Sequence, residues 1–217
     1  MPKLSHWEKV RSHFFYNKYN SLGWLALKPI YLGEEKGARG KKIVKYFTEE
    51  EKQQYKVNLT NGLFYDSKGG LVNTINPKEV GRYAYSSLYV IDRDYQFYIV
   101  GCKVGHKLDR AINHSSVLAG KPILCAGYVT VTEGKLISLS NESGHYTPPE
   151  EALLKLMHHL ARQGVPREQY EVRYQGRDTL RPIVYTSSLD FIQNHPFKKI
   201  REETKNETIQ HICAKIF

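Results

Sequence analysis

Cysteine is scarce in this sequence. Cys102, Cys125 and Cys213 stand far apart, are odd in number and form no C-x-x-C pair. That excludes a disulfide scaffold and a structural zinc site, which need dense or closely spaced thiols. Long apolar runs are missing too, so no membrane-spanning helix is expected. The opening MPKLSHWEKV has no apolar signal-peptide core, and the expectation is synthesis in the cytoplasm. Nor is there a long basic tract. The net charge of +10 is dispersed, with only RGKK (39–42) and FKKIR (197–201) as short clusters. A nucleic-acid-binding arm is therefore not indicated, while a basic surface still favours anionic partners.

What is present is a globular composition. The chain has 217 residues, 25% charged and 12% aromatic, enough for one domain with its own core. Tyrosine is abundant, at 16 residues, and its apolar body with a polar tip suits half-buried sheets and binding grooves. Trp7, Val10, Phe14, Phe15 and Tyr19 recur at helical spacing, which predicts a helix over 5–20. TEEEKQQY (48–55) opens with Thr48 as N-cap and three acids in the first turn, and reads as a short helix.

From Tyr55 the pattern turns to strands. Three hairpins follow: one turning at Asn61-Gly62, one over 87–101, and one over 122–140 turning at Glu133-Gly134. After Pro148 and Pro149 comes a helix whose apolar stripe is read as Leu153, Leu154, Met157, Leu160 and Ala161, closed by Gly164. His158 and His159 fall within it and read as surface residues. YEVRYQ (170–175) and PIVYTS (182–187) read as further strands. The expected fold class is α+β: an antiparallel β-meander or partial barrel with helices packed on one side.

Two stretches carry candidate chemistry. INHSSVLAGKP (112–122) holds His114, Ser115, Ser116 and Gly120, and SGHYTP (143–148) holds Ser143, Gly144, His145 and Tyr146. They flank the 122–140 hairpin, whose outer ends an antiparallel pairing brings together, so the stretches should be neighbours. Histidine transfers protons near neutral pH, serine hydroxyls and turn N–H groups hold phosphate or ribose, and tyrosine stacks on a ring. No carboxylate is evident to orient either histidine, so a hydrolase triad is not indicated. The two histidines alone make a poor metal site. The alternative stays open that SGHY is only turn chemistry and that both histidines are structural.

YFTEEEKQQYKVNLTNGLFYDSKGGLVNT, LYVIDRDYQFYIV, HSSVLAGKPILCAG and EGKLISLSNESGHYTPPEEALLKLMHHLARQGV occur in that order. The order resembles the common core of the plant IQ-motif calmodulin-binding protein family and its bacterial and fungal effector-type relatives. There a YL-x-x-x-E helix, a hydrophobic hairpin, HSSFLAG and SGHY-x-P recur together. The resemblance spans about residues 7–165. The chain departs from it in two places. IQNHPFKKIR carries Pro196, which would break an IQ helix. Tyr128 stands where bacterial relatives often carry an acid.

The leading expectation is an effector-type protein acting on a nucleotide-containing ligand, most concretely ADP-ribosyl transfer from NAD to a host protein. His114, His145 and Tyr146 would then be catalytic. Ser115, Ser116, Gly120, Ser143 and Gly144 would bind the cofactor, and Glu142 or Glu133 would supply a carboxylate. The rival expectation is a non-catalytic module that binds calmodulin or another host protein. Residues 1–190 are read as one domain and 191–217 as a charged tail. That tail is similar to C-terminal signals of type IV-secreted effectors, which implies delivery from the cytoplasm of synthesis into a host cell. Thiol titration in denaturant without reductant should count three free groups per chain. A count of one would reveal a disulfide.

Overall fold

The computed structural model describes residues 24–37, 43–75, 86–101, 111–176, 179 and 181–195. The helix expected over 5–20, Cys102, Cys213 and the tail beyond His195 lie outside the described residues. Eight strands form one sheet in the order β2-β1-β4-β3-β5-β6-β7-β8. They are β1 (Lys56–Thr60), β2 (Leu63–Tyr65), β3 (Ser87–Ile91), β4 (Phe97–Val100), β5 (Cys125–Thr132), β6 (Lys135–Ser140), β7 (Glu171–Tyr174) and β8 (Ile183–Tyr185). Among the described residues four α-helices accompany them: α1 (Glu49–Gln53), α2 (His114–Val117), α3 (Glu150–Arg162) and α4 (Ser188–Asn194).

The three hairpins form where turn chemistry places them. Asn61-Gly62 and Glu133-Gly134 each have two positive φ angles, at 51° and 78° and at 49° and 74°. Those are the mirror-image turns whose twist matches the strands. The hairpins follow one another across the sheet, but the first two are turned round, with β2 at the edge and β4 before β3. β4 thus pairs with β1 and β3 pairs with β5. The sheet also curls. The Phe64 N–H donates to Gly134 O at 2.9 Å, and Thr74 exchanges bonds with Val131 N–H and C=O at 2.9 and 2.8 Å. The first edge thus leans on the β5–β6 hairpin and makes a half-barrel, with a bulge between Thr130 and Val131 where Thr74 intrudes.

β6 and β7 are parallel, and α3 is their crossover. A parallel neighbour needs such a connection. Helix α3 buries Ala152, Leu153, Leu156, Met157 and Leu160. The expected stripe is therefore rotated: Leu154 and Ala161 are only half-buried, and Ala152 and Leu156 replace them. His158 and His159 are half-buried and partnered. His159 stacks on Tyr95 at 4.5 Å, and His158 Nδ1 accepts from Arg167 at 3.0 Å. Thr48 caps α1 reciprocally with Glu51 as its sequence predicts. Phe191 and His195 are buried and packed with Tyr174 and Tyr185, so the packed body continues past Asp190.

The tightest backbone approach lies in β5. A Cβ on Gly127 would sit 2.0 Å from Ser140 O. That carbonyl is buried and accepts the Tyr89 hydroxyl at 2.7 Å. No side chain fits there, because the obstacle is backbone rather than a flexible tip. Gly127→Ala should therefore cost about 3 kcal/mol or more, in the range of severe overpacking. The check is a urea midpoint that falls well below that of the wild type. An unchanged midpoint would show that β5 and β6 separate there without cost.

Candidate functional site

The first motif builds α2, a single helical turn. Its cap is internal, since the Asn113 N–H donates to Ser116 Oγ at 3.0 Å. That bond makes Ser116 a capping residue of the turn. His114 is buried, and its Nε2 donates to Gly127 O at 2.9 Å. Because the partner is a carbonyl, Nε2 carries the proton. Burial lowers the imidazole to about 4, against a smaller opposing effect of that hydrogen bond. His114 is thus a neutral pin between α2 and β5. Its ring also meets Tyr128 edge-on at 5.5 Å.

Gly120 was expected at a cofactor. It instead closes the turn after α2 at φ 73°, where a Cβ would come within 2.9 Å of the Tyr46 hydroxyl and 3.2 Å of Leu27. Gly144 is not sterically required, having only Tyr31 Oη at 3.7 Å; the positive φ of that loop falls on Thr147, at 43°. Ser143 is buried and serves through its carbonyl, which accepts Thr147 N–H at 2.7 Å. Tyr146 is fully buried, and its hydroxyl donates to Lys121 O at 3.0 Å. A ring packed in the core has no face left to stack on a ligand, so Tyr146 ties the second motif to the strand entry that follows the first.

The motifs do meet, and the residue that joins them was not among those read from the sequence. Glu34 is buried, and its Oε2 accepts His145 Nε2 at 3.1 Å, while its Oε1 accepts the Tyr46 hydroxyl at 3.3 Å. Burial alone would raise its carboxyl; the hydrogen bond from His145 leads a set, with Ser115 and Tyr46, that lowers it overall. The Ser115 hydroxyl lies near the carboxylate but falls short of a full hydrogen bond. Tyr31 packs on the His145 ring at 4.1 Å between centroids. The Lys28 N–H donates to His145 O at 3.1 Å, and Leu25 exchanges backbone bonds with Ile123. Residues 24–37 thus strap both motifs. A carboxylate does orient one histidine, contrary to the sequence reading. It comes from a stretch 111 positions away, where no local pattern announces it.

Asn141 was also missed. It is buried, donates to Pro148 O at 2.8 Å and accepts Gln175 N–H at 2.7 Å, holding the SGHY turn to the end of β7. Cys125 is buried, and burial pushes its thiol up to about 12, which makes it an unreactive small hydrophobe. Among the described residues no three His, Cys, Asp or Glu side chains gather to hold a metal ion. No described helix is long and apolar enough to cross a membrane.

Residues 51–153 match the IQ motif-containing protein middle domain, a stretch that contains both motifs but not Glu34. Two proteins of Arabidopsis thaliana are similar to the chain. IQ domain-containing protein IQM2 is 26% identical over 212 residues, covering 91% of this chain and 33% of that protein. IQ domain-containing protein IQM3 is 26% identical over 157 residues, covering 72% and 32%. The chain spans about a third of the length of the curated relatives it matches. No solved structure matches it. These similarities support the plant side of the resemblance drawn from the motifs.

The Glu34–His145 pair makes a stability prediction with a defined sign. A carboxyl lowered in the folded chain stabilises fully above its unfolded value, near 4.3, and loses that contribution as pH falls through its folded value. Glu34→Gln should therefore flatten the acid limb of stability against pH. Exposed carboxylates such as Asp66 and Asp190 are lowered as well, so the difference between variant and wild type isolates Glu34. His145→Ala leaves a buried carboxylate without its main donor and should cost about 3 kcal/mol at neutral pH. Matched acid limbs for wild type and Glu34→Gln would remove this pair as a source of stability.

Proposed function

We propose that this chain is a non-catalytic binding module, a counterpart of the middle domain of the plant IQ-motif proteins, and that its partner is calmodulin or another protein. The observation that carries this reading is the internal commitment of the motif residues. The His114 imidazole, the Ser116 hydroxyl, the Tyr146 hydroxyl and the His145 imidazole each hold a partner within the fold. ADP-ribosyl transfer would need these groups turned toward NAD, with a carboxylate at the ribose. Glu34, the carboxylate beside them, is itself buried. A set of buried, mutually satisfied groups makes a scaffold, and a scaffold presents surfaces.

Calmodulin is the first partner to test because of the family resemblance and the charge of +10. Residues 5–20 combine Trp7, Val10, Phe14 and Phe15 with Lys9, Arg11 and Lys18, the composition of a helix that enters an acidic apolar groove. The Ile192-Gln193 pair is a weaker candidate. Helix α4 ends at Asn194, and His195 is extended, as the residue before a proline tends to be.

Titration calorimetry with apo and calcium-loaded calmodulin should give saturable binding that weakens with salt and with Trp7→Ala. NAD and ADP-ribose should leave the melting temperature unchanged. A ligand at a hundred times its Kd contributes about 2.7 kcal/mol, which raises melting by roughly 5–10 °C in a domain of this size. A rise of that order with NAD, and none with calmodulin, would return the transferase reading in place of this one.

A further inference from the structure

A pocket of about 260 Å3 opens on the sheet face beside the second motif, lined by Ser86, Tyr128, Thr130, Ser138, Ser140, Glu142 and Arg173. Tyr128 and Thr130 are alternate residues of β5, Ser138 and Ser140 are alternate residues of β6, and Arg173 of β7 lies opposite Ser140 in register. Alternation places these side chains on one face of three adjacent strands. None of the pocket residues belongs to the buried network around Glu34.

The hydrogen-bond inventory shows what the pocket offers. Ser138 donates its hydroxyl to Thr130 Oγ1 at 3.0 Å. Ser140 Oγ accepts the N–H groups of Tyr128, at 3.0 Å, and of Glu142, at 3.3 Å. The hydroxyl hydrogens of Thr130 and Ser140 thus have no acceptor among the described residues. The Arg173 side chain is 46% exposed, and its ion pair to Glu171 is long, at 3.7 Å. Its fork keeps donors for a second anion. Tyr128 supplies a ring wall, fixed edge-on by His114.

We propose that this pocket binds a small hydroxylated organic anion of hexose size, a sugar acid or a sugar phosphate. The acid group meets the Arg173 guanidinium, ligand hydroxyls donate to Glu142 and accept from Thr130 and Ser140, and the C–H face of the ring lies on Tyr128. The volume falls just below the ~300–1,000 Å3 of clefts for drug-sized ligands, which sets the size. A neutral sugar leaves Arg173 without a counter-charge. An α-amino acid meets Arg173 through its carboxylate but turns an aliphatic stem toward two hydroxyl donors. The inference rests on different residues from those behind the protein-binding reading, and either can fail alone.

Titration calorimetry of the 217-residue chain with glucuronate, glucose 6-phosphate, glucose and alanine tests it. Binding of glucuronate alone identifies a carboxylate ligand, binding of glucose 6-phosphate alone a phosphate ligand, and either supports the proposal. Arg173→Gln should weaken that binding by about tenfold or more, the loss of one charge-assisted pair. Glu142→Gln keeps the shape of the pocket and should weaken it less. Both substitutions are conservative in size, and the melting temperature of each unliganded variant verifies folding. The proposal is overturned by no binding of either anion, by glucose or alanine binding as tightly, or by a folded Arg173→Gln that binds like the wild type.

Discussion

The absent side chain at Gly127 is the constraint on which the motif region depends. Ser140 O occupies the place where a Cβ would stand, only 2.0 Å from it. The carbonyl of Gly127 itself accepts a hydrogen bond from His114 Nε2. The end of β6, which leads into SGHY, and the helix turn that carries HSS are thus set on either side of one glycine. Tyr89 closes the arrangement by donating to Ser140 O from the neighbouring strand. Larger residues in β5 would push β6 away, and the two motifs would part.

Glu34 adds the second constraint. Burying a carboxylate costs several kcal/mol unless donors surround it. Here an imidazole and a phenol supply them, each from a different segment of the chain. The carboxylate therefore acts as a knot that forms only when residues 24–37, the approach to α1 and the SGHY turn are all in place. Such a knot favours one arrangement of three loops over many. It gives the histidine at position 145 a structural role.

The strands and turns were legible in the sequence because their signals are local. Asn-Gly and Glu-Gly between alternating apolar runs mark mirror-image turns, and Pro-Pro-Glu-Glu before an apolar stripe marks the start of α3. Strand order was not legible. The β3–β5 and β1–β4 pairings depend on which edges meet after the chain curls, and no residue pair states that in advance. The rotation of the α3 stripe has a similar cause: Ala152 and Leu156 face the sheet because the crossover from β6 to β7 fixes the azimuth of the helix. At the site, the side chains singled out in the sequence are held by partners that the sequence does not reveal. Ser116, His114 and Tyr146 have side chains suited to ligands, yet the fold uses each as an internal fastener. Glu34 and Asn141 escaped notice because their partners lie 111 and 34 positions away.

The buried motif network and the proposed pocket occupy different residues, and Tyr128 is where they touch. Its ring is steered by His114 of the first motif, and its other side is a wall of the pocket formed with Arg173 and Glu142. Through that one ring the buried motif shapes an exposed surface without contributing a polar atom to it. An acidic residue at position 128 would change that surface. A carboxylate there would place a second negative charge in the pocket with Glu142, engage Arg173 directly, and shift the preference from anions toward cations or toward no small ligand at all. Identical motifs can then accompany different ligands, because the motifs fix where the strand ends lie and the residue at 128 decides the charge they present.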